Sequence, residues 1–271
     1  METSSIVKLK RTEIVNSMRD MDEQSIRFLV DNYYQMQDNR IRTKHQIREA
    51  SESGEPNQVL SWLAEQNELL ENQLKRALNY YTENHPVGKW MRSIKGIGPV
   101  ISAGILAHID INKAPTAGHI WSYAGLVDGV KWEKGQKRPW NAELKRLFWL
   151  LSESFVKVSN YDDDVYGKLY KQRKEFESKN NEDGKYADQA ARILKEKRWD
   201  KTTDAYKAYS QGKLPPAHIH ARAKRWVAKI FISHLHHVWY VTEFKKDPPN
   251  PFVIEHLGHA HFITIPNFPM Q

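Results

Sequence analysis

Residues 94–104 read "IKGIGPVISAG", a Gly-Ile-Gly turn set between two apolar stretches in a chain rich in Lys, Arg and Trp. Pro99 follows the second glycine, and proline suits the first turn of a helix because the N–H it lacks would be unpaired there anyway. The stretch therefore reads as helix, hairpin, helix, over 87–94, 95–98 and 99–109. Two explanations account for the glycines. They form a plain helix corner, or they leave successive backbone N–H groups open beside a positive helix end, where a phosphate is held. In the second reading Gly96, Ile97 and Gly98 are the cradle, Lys95 stands beside it as a cation, and Ile97 packs inward to pin the turn. A bare G-x-G fits both.

Upstream, Ile14, Met18, Ile26, Leu29, Val30, Tyr33 and Tyr34 recur at helical spacing from Thr12 to about Arg48, without strand-like alternation. "SESGEPN" at 51–57 interrupts the pattern, and Leu63, Leu70, Leu74, Ala77, Leu78 and Tyr81 then mark one face of a second helix. His85-Pro86 ends it, since proline disfavours helical geometry in the residue before it. Downstream come a short helix at 116–127, a basic loop at 128–140, an apolar helix at 142–158 and a helix at 161–179. A polar helical stretch runs to about Tyr209, and a long helix covers 218–244. The expected fold is all-α: a helical arm over 1–84 and a helix-hairpin-helix-containing domain over 85–247 with a helical insertion near 176–215. Prolines make 248–271 an irregular tail.

Forty-one Lys and Arg face 33 Asp and Glu, a formal charge of +8 and a pI near 9.4, which favours a polyanionic partner over an acidic small molecule. With no cysteine, disulfides, Cys-ligated zinc and thiol nucleophiles are excluded. The N-terminus lacks the apolar core of a signal peptide and no stretch nears the ~18 apolar residues of a membrane span, so a cytoplasmic protein without membrane association is expected.

The loop over 131–140 interleaves Lys131, Lys134, Lys137 and Arg138 with Trp132 and Trp140. Cations that follow phosphates and indoles that stack on bases suit unpaired nucleic acid; the plain alternative makes the tryptophans core plugs and the lysines a solvated rim. Arg222, Lys224, Arg225 and Lys229 on the last long helix form a candidate basic face. The histidines at 218 and 220, at 234, 236 and 237, and at 256, 259 and 261 lack both cysteine and a helical H-x-x-x-H frame, so they are read as structural or solvent-facing, with no metal and no cofactor expected. "YDDDVY" at 161–166 reads as a helix cap, negative charge meeting the positive end of the dipole, and no catalytic residue is assigned.

"HPVGKWMRSIKGIGPVISAGILAHI" at 85–109, "IWSYAGLV" at 120–127 and "NAELKRLFWLLSESF" at 141–155 together resemble the C-terminal domain of the IS110/IS116/IS902 transposases. That family shows a His-Pro, a Pro-Gly-Ile-Gly-Pro hairpin, an Ala-Gly-Leu turn, a basic Gly-rich loop and an apolar helix introduced by Asn and basic residues, in this order. The resemblance covers about 85–175 and extends to the helix at 218–244. It implies a nucleic-acid-binding scaffold. The family carries a RuvC-like acidic nuclease domain ahead of this region, whereas the 84 residues before His85 read as helices here. It also places a serine nucleophile in the basic loop, and in "KWEKGQKRPW" that column falls on or beside Glu133. A carboxylate there would form a reactive mixed anhydride with phosphate, not a storable covalent intermediate.

The expectation is a backbone-directed binder of DNA or structured RNA, derived from such a transposase and catalytically inactive alone. Two alternatives stand beside it: a transposase or recombinase subunit whose nuclease half is a separate chain, and a protein-interaction module in which the 58–83 helix supplies a homodimer or partner contact.

Overall fold

The computed structural model describes residues 8–54, 57–127, 129–130, 132–196, 198–249 and 263–269. Eleven α-helices and no strand occur among them, so the fold is all-α. The chain divides into two compact units. One comprises 1–93, 97–113 and 269–271, the other 94–96 and 114–268.

The first unit contains α1 (Arg11–Arg19), α2 (Glu23–Glu52), α3 (Gln58–Asn84), α4 (Pro86–Arg92) and α5 (Pro99–His108). Asp22 starts α2 by accepting the Ser25 N–H at 2.7 Å, and Asn57 starts α3 by accepting from Val59 and Leu60. These caps satisfy amides that have no intrahelical partner. The helices α2 and α3 pack along each other, and α3 also receives α1, α4 and α5. Near α5 the seam is apolar, with Ile26, Val30, Ala77 and Leu78 buried. Further out it turns polar: Arg40 pairs with Glu71 at 2.6 Å, Gln37 donates to the same carboxylate, and Lys44 meets Glu68 at 2.8 Å.

This polar seam corrects the apolar face expected on α3. Leu63 and Leu70 are exposed, while Ala64, Asn67 and Glu71 are buried. The cause lies across the seam, where α2 offers Arg40, Thr43 and Lys44, and these draw the hydrogen-bonding face of α3 inward. His85 ends α3 and caps α4, its Nδ1 accepting from Val87 and Gly88, with Pro86 as the first residue of α4. Most of α5 is buried, against α2, α3 and α4, and Arg27 donates to the Ala107 carbonyl at its C-terminal end at 2.6 Å.

The second unit contains α6 (Ala117–Tyr123), α7 (Ala142–Val158), α8 (Tyr166–Glu182), α9 (Ala187–Glu196), α10 (Asp204–Ser210) and α11 (Pro216–Phe244). Helix α11 packs on α6, α7 and α8. At its centre Tyr166 stacks on Phe155 with ring centroids 4.8 Å apart and meets Phe231 edge-on at 5.4 Å. Leu144, Phe148, Leu151, Val227 and Leu235 fill the space around them. Ala190 of α9, Tyr209 of α10 and Leu214, all in the stretch expected as a helical insertion, form a smaller core with Ile219 of α11.

Helix α8 begins at Tyr166, not at Tyr161 as the periodicity implies. Asp164 is buried and its carboxylate accepts from the N–H groups of Gly167 and Lys168 at 3.1 and 2.9 Å, so the acidic run holds the helix start and stays outside it. Burial raises the Asp164 pKa despite these bonds.

Candidate nucleic-acid interface

The basic loop is clasped at its base. After α6 the chain turns at Gly125, whose φ of +63° is the left-handed region that favours glycine, and a Cβ there would lie 2.6 Å from the Trp140 indole. The half-buried Trp140 is thus a plug on the Ala-Gly-Leu turn. Beside it, the Asn141 N–H donates to the Tyr123 carbonyl at 2.8 Å and its Nδ2 to the Tyr123 hydroxyl at 2.9 Å. The remaining side-chain oxygen of Asn141 accepts from Leu144 and caps α7. One Asn therefore closes the loop and starts the apolar helix, which is why it stands at that junction.

Residues 132–139 are all exposed. Within them the Gln136 N–H donates to the Glu133 carbonyl, the Trp132 indole N–H donates to the Gln136 carbonyl at 2.7 Å, and the Arg138 guanidinium lies over the Trp132 ring at 5.1 Å. The loop is folded back on Trp132. Lys134 and Lys137 stand on it without an ion-pair partner among the described residues. Glu133, at the position that the resemblance gives to a serine, is solvent-exposed.

The loop's cations meet others from the helices. Lys145, in the first turn of α7, places its ammonium 4.3 Å from the Trp140 ring centroid. Burial lowers its pKa, and the positive charges of Arg225 and Arg138 lower it further, so Arg138, Lys145 and Arg225 share one local field. One turn on, Trp149 is 54% exposed, with the Lys224 ammonium 5.1 Å from its ring centroid while that lysine pairs with Glu153. Lys145 and Trp149 belong to the apolar helix of the sequence pattern and were not among the predicted contacts. Their i, i+4 spacing is the one signal in the sequence that puts them on the same helix face.

The other predicted residues are placed as follows. Arg222 donates to Glu177 at 2.7 Å and lies over the Tyr186 ring at 4.5 Å, so its charge is matched inside the second unit. Lys131 lies outside the described residues, as do His256, His259 and His261. Lys95 pairs with Asp163 at 3.1 Å and sits over the Tyr161 ring at 4.6 Å. That ion pair holds the Asp163 carboxyl below its usual range.

The hairpin needs only one of its glycines for geometry. Gly96 has φ +90°, and a Cβ there would approach Val158 to 3.1 Å and Ser154 to 3.2 Å; its carbonyl accepts the Ser154 hydroxyl. Gly98 is extended and a Cβ there would meet no other atom within 4 Å, so the geometry does not require glycine at this position. Ile97 is buried, and its carbonyl accepts from Arg92 at 2.7 Å. The N–H groups of Gly96, Ile97 and Gly98 donate to no protein acceptor among the described residues, and α5 has no side-chain cap.

Among the described residues no group of three or more His, Asp or Glu is arranged to hold a metal ion, and no helix is long and apolar enough to cross a membrane.

Among the described residues the helix α4, the Gly96–Gly98 turn, the clasped basic loop and the apolar helix α7 follow one another in this order. Residues 88–166 match the model of the transposase IS116/IS110/IS902 family. The match runs from α4 to the first residue of α8 and takes in the hairpin, the Gly125 turn, the basic loop and α7. No curated protein and no solved structure matches the chain.

Proposed function

We propose that this protein binds the sugar-phosphate backbone of DNA or structured RNA, as a transposase derivative that does no strand chemistry alone. The observation that carries this reading is the placement of Arg138 over the Trp132 ring and of Lys145 over the Trp140 ring, with Trp149 54% exposed one turn further along α7. Cations gathered on an exposed loop and on the adjoining turn of α7 attract a polyanion, and an exposed indole on that helix offers a base a stacking surface. The Gly98 N–H, which donates to no protein acceptor among the described residues and precedes the uncapped start of α5, makes a second contact that takes a phosphate without reading sequence. Lys95, matched by Asp163, adds little to it.

Anisotropy titrations with labelled duplex and single-stranded oligonucleotides test the proposal. Affinity should fall steeply from 50 to 200 mM salt, each neutralised phosphate adding about 0.9 to the log–log slope on duplex DNA. The double variant Arg138→Glu, Lys145→Glu should bind about tenfold more weakly with an unchanged circular dichroism spectrum. Equal affinity in that variant, or a flat salt response, would refute the reading. Trp149→Ala should weaken single strands more than duplex.

A second reading, self-association through α3, is favoured by one observation: Val59 and Trp62 are 68% and 57% exposed, with Leu63 and Leu70 also open on the same helix. Apolar side chains grouped in this way mark contact surfaces. Light scattering should give a dimer mass for the native chain and a monomer mass for Trp62→Lys, Leu63→Lys. A monomer at all concentrations would dismiss it.

A further inference from the structure

Within the first unit a cavity of about 590 Å³ opens between α1, α3 and the adjoining ends of α4 and α5. Its volume lies in the range of small-molecule sites. Arg11, Lys75, Arg76 and Arg92 line it, against one carboxylate, Glu83. None of the four cations has an ion-pair partner among the described residues. This distinguishes the cavity from the seam a few turns away, where Arg40 and Lys44 are each matched by glutamate.

Arg92 is the innermost of the set chemically. Its Nη1 donates to the Ile97 carbonyl and its Nη2 to the Asn79 side-chain oxygen at 3.3 Å, both neutral acceptors, and its Nε is buried with no acceptor. Burial holds its pKa below the usual guanidinium value, with the Glu83 charge opposing that shift. A guanidinium without a bonded carboxylate in a part-buried place is costly unless an anion completes it. Pro99 also lines the cavity, which brings the positive end of the α5 dipole to its wall, and Tyr80 adds an aromatic surface.

We infer that this cavity is a binding site for an oligophosphate group, of the kind a nucleoside triphosphate or a 5′-triphosphorylated RNA end carries. Four cations against one carboxylate match several phosphate oxygens rather than a single carboxylate, and Asn72 and Asn79 supply neutral donors. The site stands independently of the loop interface.

Calorimetric titration of inorganic tripolyphosphate into the full chain should show saturable 1:1 binding. Lys75→Glu, Arg76→Glu, both at exposed positions, should weaken it at least tenfold. Lys134→Glu, Lys137→Glu in the loop should change it less than twofold. Tighter binding of ATP than of tripolyphosphate would identify a nucleotide as the source. Preference for a 5′-triphosphorylated over a 5′-hydroxyl RNA oligonucleotide, lost with the Lys75, Arg76 pair, would identify a nucleic-acid end. Absence of saturable binding, or equal weakening by the loop pair, would overturn the inference. A native chain that binds tripolyphosphate but no duplex would count against the loop interface alone.

Discussion

Truncation of Glu177 to alanine should remove about 3–5 kcal/mol from the stability of the second unit, the cost of breaking a buried ion pair from one side. Glu177 is 1% exposed and accepts from three donors on three elements: Arg173 on its own helix, Arg222 on α11 at 2.7 Å, and the Tyr186 hydroxyl. Burial pushes its pKa up, but the hydrogen bonds from Tyr186, Arg222 and Arg173 outweigh it and hold the carboxyl below its usual range. Without the carboxylate, two guanidinium groups face each other in a part-buried place. Urea denaturation followed by circular dichroism measures the loss. Arg222→Met introduced with Glu177→Ala should recover part of it by removing one unmatched charge. A loss under about 1 kcal/mol would mean that the network is solvated and not structural.

Acid should destabilise the protein between pH 6.5 and 4, through histidines that fold in the neutral form. Burial, together with the nearby His237, lowers the His234 pKa from 6.5 to about 4. Its Nε2–H donates to the Ile263 carbonyl at 3.0 Å, leaving Nδ1 to accept the Tyr166 hydroxyl at 2.8 Å, a tautomer that has no room for a second proton. Between the two pKa values the unfolded chain binds a proton that the folded chain refuses, so stability is complete above 6.5 and falls with pH until about 4. For His234 alone the loss approaches about 3 kcal/mol. In the first unit His108 is also lowered to about 4, by burial and by the positive Arg27, and adds a loss of the same sign. Denaturation midpoints at successive pH values, with NMR titration of both imidazoles, check this. Ordinary titration near 6.5 would contradict it.

Much of the helical framework was legible because its boundaries are written in local chemistry. Asn141 marks the start of α7 and Pro99 that of α5, and α7 spans the same 142–158 that the apolar pattern implies. What local pattern could not reveal is the partner of each polar side chain. Lys95 looks like a free cation until Asp163, 68 residues later, comes beside it, and Arg222 looks like part of a basic face until Glu177 arrives from 45 residues away. The same blindness hid the cation field. Lys145 is an ordinary helix surface residue in the sequence, and only folding brings Arg138 from the loop and Arg225 from α11 near it. Leu63 and Leu70 show the converse error, since an apolar face of α3 means core only where α2 offers apolar residues in return.

The Tyr123–Asn141 clasp and the Trp140 plug on Gly125 together fasten both ends of the basic loop to the helices on either side. Between them, the exposed residues 132–139 turn their hydrogen bonds and ring contacts on one another. Loop sequences of other lengths and charges could be exchanged like cassettes at this position, and binding preference could diverge quickly in descendants of this chain while their scaffold stayed the same.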